Sequence, residues 1–380
     1  MNRMKKGLSN ASASVLAILA GLLAGFVILL ISNPANAFQG LVTILKGGWN
    51  NGMKGMGQVL YFATPIIMTG LSVGFAFKTG MFNIGAAGQL MIGGFVSVYV
   101  GMTWTFLPGH LHWIVALLMG MLAGMVWGMI VGLFKALLNV NEVITSIMLN
   151  YVGMYLVNFS IKNSHLYDPL KNQTADVAAS AIIPKGGLDE LFYVTKGRLK
   201  DASSVNAGIF IAIGFAILIY IILTRTTFGY ELKACGLNRH ASRYAGISEK
   251  RAIISAMAIA GGLAGVAGAL MYLAPSRGMH IHVEEVLAAQ GFNGIAVALL
   301  GLSNPIGIIF TGLFVAHITE GGRHLQSLKY MKEIIEVIIG MIIYFSAFSL
   351  LVRDFLAGRA RRRADSARDA SAPIPEEAKE

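Results

Sequence analysis

Ten apolar stretches, at roughly 15–31, 57–77, 84–101, 112–134, 142–160, 207–223, 251–273, 286–300, 305–320 and 331–352, dominate this chain. A bilayer core about 30 Å thick is crossed by about 20 apolar helical residues. Inside it, every backbone amide must find its partner within the protein, which a helix provides. The rest of the composition agrees: 13% of residues are charged and the mean hydropathy is +0.65, whereas soluble domains are about a quarter charged. The predicted fold class is an all-α polytopic membrane protein of about ten transmembrane helices. The 45 glycines fit such a bundle, because small residues let helix backbones approach closely in lipid.

Charge orients the spans. Met1–Lys6 is basic, which predicts a cytoplasmic N-terminus. Ala35-Asn36-Ala37 has the form of a signal-peptidase site, but the preceding run is long and many spans follow, so the first helix is read as uncleaved. Six spans then bring the chain back to the cytoplasm at a polar island, Thr224–Arg251, where Arg225, Lys233, Arg239, Arg243, Lys250 and Arg251 outweigh Glu231 and Glu249. Four more spans return it at Arg353, ahead of Arg359 and Arg361-Arg362-Arg363, so the C-terminus is predicted to be cytoplasmic too. The formal charge of +11 therefore reads as an orientation signal and not as a nucleic-acid footprint. The reading divides the chain into a transmembrane region (1–355), with an extracytoplasmic loop at 161–206 and a cytoplasmic loop at 224–251, and a charged, disordered tail (356–380). Pro169, Pro184 and Gly186-Gly187 suit the external loop to a small cap. The single cysteine, Cys235, excludes an internal disulfide, and no Cys/His cluster has metal-ligand spacing.

Two Gly/Asn-rich stretches echo each other: Gly80-Met81-Phe82-Asn83-Ile84-Gly85, and Gln290-Gly291-Phe292-Asn293-Gly294-Ile295. They predict two five-helix repeats, which the odd span number would invert relative to one another. The short runs either side of Gly301–Pro305 point to broken helices. Gly120, Gly124, Gly128 and Gly132 recur every fourth residue, so they share one helix face and predict close packing, as do Gly261, Ala264, Gly265 and Gly268. Asn83 and Gln89 are costly in lipid unless paired or exposed to a polar cavity. They mark either a re-entrant turn with satisfied amides or a pathway in which Phe82 stacks on a planar solute. Asn139 or Asn141 is expected to cap the helix begun by Glu142, while Asn150 and Asn158 are candidates for lining or for interhelical hydrogen bonds. His317 and Glu336 are the ionisable groups placed furthest into spans; a proton-coupled carrier would need such a relay.

No G-x-x-x-x-G-K-[ST] sequence occurs, and Gly48–Lys54 is only a near miss. If ATP drives this protein, another polypeptide binds it, and no cofactor is expected here. Nucleophile elbows, zinc motifs and paired catalytic carboxylates are also missing, so no enzyme is predicted.

Four stretches carry a family likeness: Gly80–Gly94 (GMFNIGAAGQLMIGG), Val140–Tyr151 (VNEVITSIMLNY), the polar island continuing to Leu270, and Gly291–Gly312 (GFNGIAVALLGLSNPIGIIFTG). Together they resemble permease subunits of bacterial ABC importers in the branched-chain amino acid, ribose and nucleoside superfamily, most of all the nucleoside (simple-sugar-type) permeases. That resemblance implies a ten-span, two-repeat permease in the bacterial plasma membrane, working by alternating access. It implies three partners: a second permease in a heterodimer, an ATPase subunit, and an extracytoplasmic substrate-binding lipoprotein. It also implies a short coupling helix set in the ATPase, for which Leu237–Ile247 (LNRHASRYAGI) matches. Glu231, Ala234 and Gly236 resemble the start of the family's loop, with Cys235 where an aliphatic residue is usual. At helical spacing Leu237, Ala241, Tyr244 and Ala245 share one face and Arg239 and Arg243 another; Asn238 lies between them and Gly246 suits a helix end ahead of Ile247. Phe82, Asn83, Gln89, Gln290, Phe292 and Asn293 are the pathway candidates. The competing readings are a permease for a simple sugar such as ribose or galactose, an ion-coupled secondary transporter, and a passive channel.

Overall fold

The computed structural model describes residues 19–192, 203–347 and 358. The basic N-terminal start, residues 193–202 of the 161–206 loop, the end of the 331–352 run with Arg353 and, apart from Gly358, the predicted tail lie outside the described residues. The elements in chain order are α1 (Leu19–Ser32), α2 (Ala37–Lys46), α3 (Gly52–Lys78), α4 (Ala86–Thr103), α5 (Gly109–Leu138) and α6 (Glu142–Lys162). A two-residue hairpin, β1 (Tyr167–Asp168) and β2 (Gln173–Thr174), and the short α7 (Leu188–Leu191) follow. The second half holds α8 (Gly208–Arg225), α9 (Thr227–Leu237), α10 (Arg239–Tyr244), α11 (Glu249–Tyr272), α12 (Ala289–Leu300), α13 (Pro305–Arg323) and α14 (Lys332–Ala347).

Seven segments are long and apolar enough to cross a membrane by themselves among the described residues, and two of the other expected spans, α1 and α14, border residues outside the described ones. The seven contain α3, α4, α5, α6, α8, α11 and α13. The third of the remaining spans, α12, is short in its own right: its 12 residues rise roughly 18 Å, little more than half a bilayer core. The chain reaches α12 as irregular backbone rather than as helix, so this is the broken segment expected before Gly301. Its neighbour α13 is not short; capped by Asn304, whose Oδ1 accepts from Ile306 N at 3.0 Å, it runs for 19 residues.

The packing exchanges helices between the two halves. From the first half, α3 lies against α12 and α13 of the second; from the second half, α11 lies against α4 and α5 of the first; α3 and α11 also touch each other. Each half thus buries its second long helix in the other, and the two Gly/Asn-rich stretches fall at corresponding places, before and within the third.

The glycines at every fourth position line the tightest of these contacts. A Cβ on Gly124 would come within 2.4 Å of Gly261 O, and one on Gly128 within 2.4 Å of Met257 O. A Cβ on Gly120 would strike Ser97 Oγ, and Gly132 faces Ile254 Cα at 3.0 Å. From the other side, Gly265 meets Gly120 O, and the backbone of α4 approaches α11 where Gly93 meets Gly265 and Leu90 O meets Gly268.

At one end of the bundle, the segment 279–283 runs alongside the hairpin, bridging it at Gln173 and His282. Thr174 N donates to Ile281 O at 2.9 Å, Val283 N to Asn172 O at 2.9 Å, and Val177 N to Met279 O at 3.0 Å. His112 fastens this cap to the helices, bonding Ser180 Oγ at 2.8 Å and Val100 O at 3.0 Å. The opposite end carries α9 and α10.

The seam makes a quantitative prediction. Leucine at Gly128 must displace backbone, a cost at the upper end of about 1–3 kcal/mol for overpacking, whereas Gly214 on α8 faces open space. Gly128→Leu is expected to lower the thermal unfolding temperature of the detergent-solubilised protein by several degrees, and Gly214→Leu to leave it unchanged.

Candidate functional site

The α3–α4 turn and the α9–α10 loop form one connected corner of the molecule. Helix α3 ends at Lys78, Gly80 takes φ +74°, and residues 81–85 run non-helically into α4. The glycine at 80 has two causes, the left-handed φ and a backbone pressed against it. A Cβ there would sit 2.3 Å from Gly236 Cα, and a Cβ on Gly236 would sit 2.5 Å from the Thr79 carbonyl carbon. The last turn of α9 therefore rests directly on the α3–α4 turn.

Inside that turn the amides are saturated. Asn83 Nδ2 donates to Gln89 Oε1 at 2.8 Å and to Ser72 Oγ at 2.9 Å, and Gln89 Nε2 returns a bond to Asn83 Oδ1 at 3.0 Å. Ser72 Oγ donates in turn to Ala260 O of α11 at 2.6 Å. Asn83, Gln89 and Ser72 are all fully buried, so none of them lines open space in this arrangement. Asn150 reinforces the turn from α6, accepting from Gly88 N at 2.8 Å and donating to Ile84 O at 3.0 Å. Asn158 likewise serves packing, donating to Glu284 O at 2.9 Å.

The remaining pathway candidates sit around this knot. Phe82 is half-buried and stacks on Phe77, with ring centroids 5.0 Å apart and planes 16° from parallel. The stretch at 290–295 is helical, and it meets the first stretch: a Cβ on Gly291 would lie 2.4 Å from Ala87 Cα. Thr69 Oγ1 donates to Gln290 O at 2.8 Å. Gln290 and Asn293 are partly buried and Phe292 is exposed. Sequence reading missed Thr69 and Ser72; their signal was two hydroxyls within the apolar run of α3, where each needs a partner.

The polar island folds as two helices separated at Asn238, not as one unbroken helix over 237–247. Thr226 Oγ1 caps α9 by accepting from Gly229 N at 3.0 Å, and Asn238 Oδ1 caps α10 by accepting from Ala241 N at 3.0 Å. Gly246 takes φ +80° just past the end of α10, and Ile247 N closes back on Ser242 O at 3.0 Å. Leu232, Cys235 and Ser242 are the buried anchors. Outward stand Glu231, Ala241, Arg243 and, at 89% and 96% exposure, Leu237 and Tyr244. Arg239 turns the other way and pairs with Glu249 at 3.6 Å, which leaves Arg243 as the outward arginine of the two. Beside them Phe228, Glu231, Gly246, Ile247 and Arg251 line a cleft of ≈ 420 Å³. Burial pushes the Cys235 thiol up from its ordinary value, Glu249 adds to this, and Arg239 opposes it.

Three further polar positions serve structure. Asn139, at φ 53°, closes α5; Asn141 Oδ1 caps α6 through Val143 N at 2.8 Å; and Lys135 Nζ bonds Glu142 Oε2 at 2.9 Å across the turn between them. His317 Nε2 lies 3.0 Å from Leu45 O, tying α13 to α2. Glu320 sits near Arg323 at 3.6 Å and His324 at 3.9 Å.

A multi-pass helical bundle whose polar groups are folded into turns and seams, with one polar loop displayed at an end, is the design of a membrane transport subunit. Known proteins place it more closely. The profile of the family described as branched-chain amino acid transport system / permease component matches residues 55–347. The guanosine ABC transporter permease protein NupP of Bacillus subtilis (strain 168) is 34% identical over 95% of this chain and 99% of its own. The nucleoside ABC transporter permease protein NupB of Lactococcus lactis subsp. cremoris is 33% identical, covering 90% of this chain and 92% of its own. The glucose ABC transporter permease protein TsgB13 of Haloferax volcanii is 28% identical over 94% and 93%. No solved structure matches. The chain belongs to the branched-chain amino acid transport system permease family, and it is the membrane permease subunit of an ABC transporter.

Two outcomes follow from the corner. Asn83→Leu strands the Gln89 amide in a buried site, at a cost of about 1–3 kcal/mol, and is expected to lower the unfolding temperature in detergent, while Gln290→Leu, whose backbone carbonyl makes the bond, lowers it less. Because the thiolate is the reactive form, the raised Cys235 is expected to react with maleimide at pH 7 much more slowly in the folded protein than in denaturant, and faster as pH rises. Equal rates in the two states contradict the burial.

Proposed function

We propose that this permease imports nucleosides, driven by a separate ATPase subunit. The observation that carries the reading is the likeness to NupP and NupB, 34% and 33% identical over nearly the whole of both chains, whose names give guanosine and nucleoside. The likeness to TsgB13, named for glucose, favours a simple sugar as the second reading.

In this proposal residues 1–355 are one permease unit with both termini cytoplasmic, so the α9–α10 end faces the cytoplasm and the strand-bearing cap faces outward. A second permease completes the passage and a binding lipoprotein delivers solute to the cap side. The chain has no P-loop, so nucleotide energy enters through a protein contact. The α9–α10 loop supports that role: Tyr244 and Leu237 are large apolar side chains held almost wholly in solvent by capped backbone, and an exposed aromatic beside an outward arginine is the composition of a protein-binding hot spot. Gly236 on Gly80 then gives the loop a hard contact with the α3–α4 turn, and Gly291 on Ala87 passes it to α12. Phe82, Gln290, Phe292 and Asn293 remain proposed pathway residues at that junction; Asn83 and Gln89 act there as the lock of the turn.

The test is uptake by the assembled complex in proteoliposomes with proton and sodium gradients collapsed. Guanosine is expected to accumulate only when ATP is present on the loop side, and Arg243→Glu or Tyr244→Ala to reduce that uptake at least tenfold while the permease still inserts. Uptake on an ion gradient without ATP contradicts the ABC reading; ATP-driven uptake of glucose but not guanosine contradicts the substrate.

A further inference from the structure

Between the cap and α12 the chain descends as neither helix nor strand. Val283 is the last residue paired to the hairpin, its N–H donating to Asn172 O at 2.9 Å and its carbonyl accepting from Asn172 Nδ2 at 2.8 Å. Asn158 of α6 then holds Glu284 O at 2.9 Å, and α12 begins at Ala289. Among the described residues, the N–H groups of Glu284, Glu285, Val286, Leu287 and Ala288 find no hydrogen-bond partner.

Helix α6 gives the depth of this strap. Its 21 residues rise roughly 31 Å, about the thickness of a bilayer core, and its Lys162 end adjoins the cap. Asn158 lies roughly 6 Å inside that end. Asn150 accepts from Gly88 N, and the adjacent Ala87 is where Gly291 of α12 touches α4. The start of α12 is therefore level with Asn150, roughly 12 Å deeper than Asn158. The strap thus carries its unpaired amides from near the cap end of the core to beyond its middle.

Only one side of the strap is covered. Leu287 and Ala288 pack partly buried against the core, whereas Glu284, Glu285, Val286 and Ala289 are exposed. Helical spacing continues the exposed side from Ala289 to Phe292 and Asn293, and Phe292 is exposed as well. Irregular backbone at bilayer depth does not face lipid; it is enclosed by protein or lines water. The same holds for carboxylates within a span, and neither Glu284 nor Glu285 has an ion-pair partner among the described residues. Two unneutralised carboxylates beside open amides suit water and not a covering protein. The face of α5 differs: it exposes Leu118, Leu122 and Val126, as lipid requires.

We infer that residues 284–289 form one wall of a water-filled vestibule that opens at the cap end and reaches α12, and that Glu284 and Glu285 make its mouth reject anions. A cleft with one sign of charge and low-dielectric walls focuses that field. Neutral and cationic polar solutes therefore enter, and phosphorylated ones are turned back. This rests on the permease assignment and not on the nucleoside reading, and its test needs no solute.

Single cysteines at Val286 and Ala289, in a Cys235→Ala background, probe the wall with cationic and anionic methanethiosulfonates. The assembled complex is labelled in membrane fragments, where both faces are reachable, nucleotide-free and with ATP bound. Each rate is divided by that reagent's rate with a small thiol in solution. In at least one of the two states, Val286→Cys and Ala289→Cys are expected to react with the cationic reagent at least tenfold faster than Leu118→Cys. The cationic reagent is expected to outpace the anionic one at least tenfold, and the double variant Glu284→Gln/Glu285→Gln to bring that ratio close to one. Rates no faster than Leu118→Cys in both states overturn the vestibule. Fast labelling without charge preference, or with a preference that the glutamine variant leaves intact, upholds the vestibule and overturns the role of the two glutamates.

Discussion

Everything in this permease hangs on backbone touching backbone. Between helices in lipid there is no hydrophobic drive, because acyl chains are as apolar as leucine, so association depends on close approach. Helix α11 achieves it on two sides at once, through Gly261 and Gly265 against α5 and through Gly265 and Gly268 against α4. With α11 fixed there, its Ala260 carbonyl is in place to receive Ser72 of α3, and Ser72 in turn orders the Asn83–Gln89 pair. A side chain anywhere on that seam would separate α11 from α4 and α5 and leave the polar turn without its anchor.

The same principle recurs at the corner where the proposed coupling would enter. Gly80 against Gly236 and Gly291 against Ala87 are contacts without flexible side chains between them. A displacement of α9 has no soft layer in which to dissipate before it reaches the α3–α4 turn and then α12. The amide pair keeps that turn rigid, and α12, only 12 residues long and entered from irregular backbone, has few helical hydrogen bonds to resist. A stiff corner joined to a short helix is the lever in the proposed alternating access.

Much of this was legible in the sequence, for reasons that can be named. The apolar runs declare the helices because the bilayer admits little else, and the period-four glycines declare their packing because no other residue type permits it. The ends of α5 and α6 were legible to within a choice of two asparagines; the structure uses both, Asn139 to close one helix and Asn141 to open the next. The sequence leaves Asn83 and Gln89 between pathway and turn, since the two options differ only in whether partners exist, and those partners, Gln89 itself and Ser72 eleven residues back, are set by the fold. The break at Asn238 was hidden for a different reason. Leu237, Ala241 and Tyr244 keep helical spacing across it, and only the capping bond to Ala241 reveals that a new helix starts there. Family likeness supplied what physics alone does not, the permease family itself, on which the proposed partners and solute rest.

The central claim is that this chain takes its energy from another protein through Tyr244 and its neighbours. The most direct measurement places a photo-crosslinking phenylalanine analogue at Tyr244 in the full complex in native membranes, with Leu118 as a lipid-facing control. One protein adduct is expected at Tyr244, identified by mass spectrometry as a subunit carrying a P-loop ATP-binding motif, and none at Leu118. Illumination that joins Tyr244 to no ATP-binding subunit, while the complex remains assembled and active in ATP-driven uptake, would contradict it.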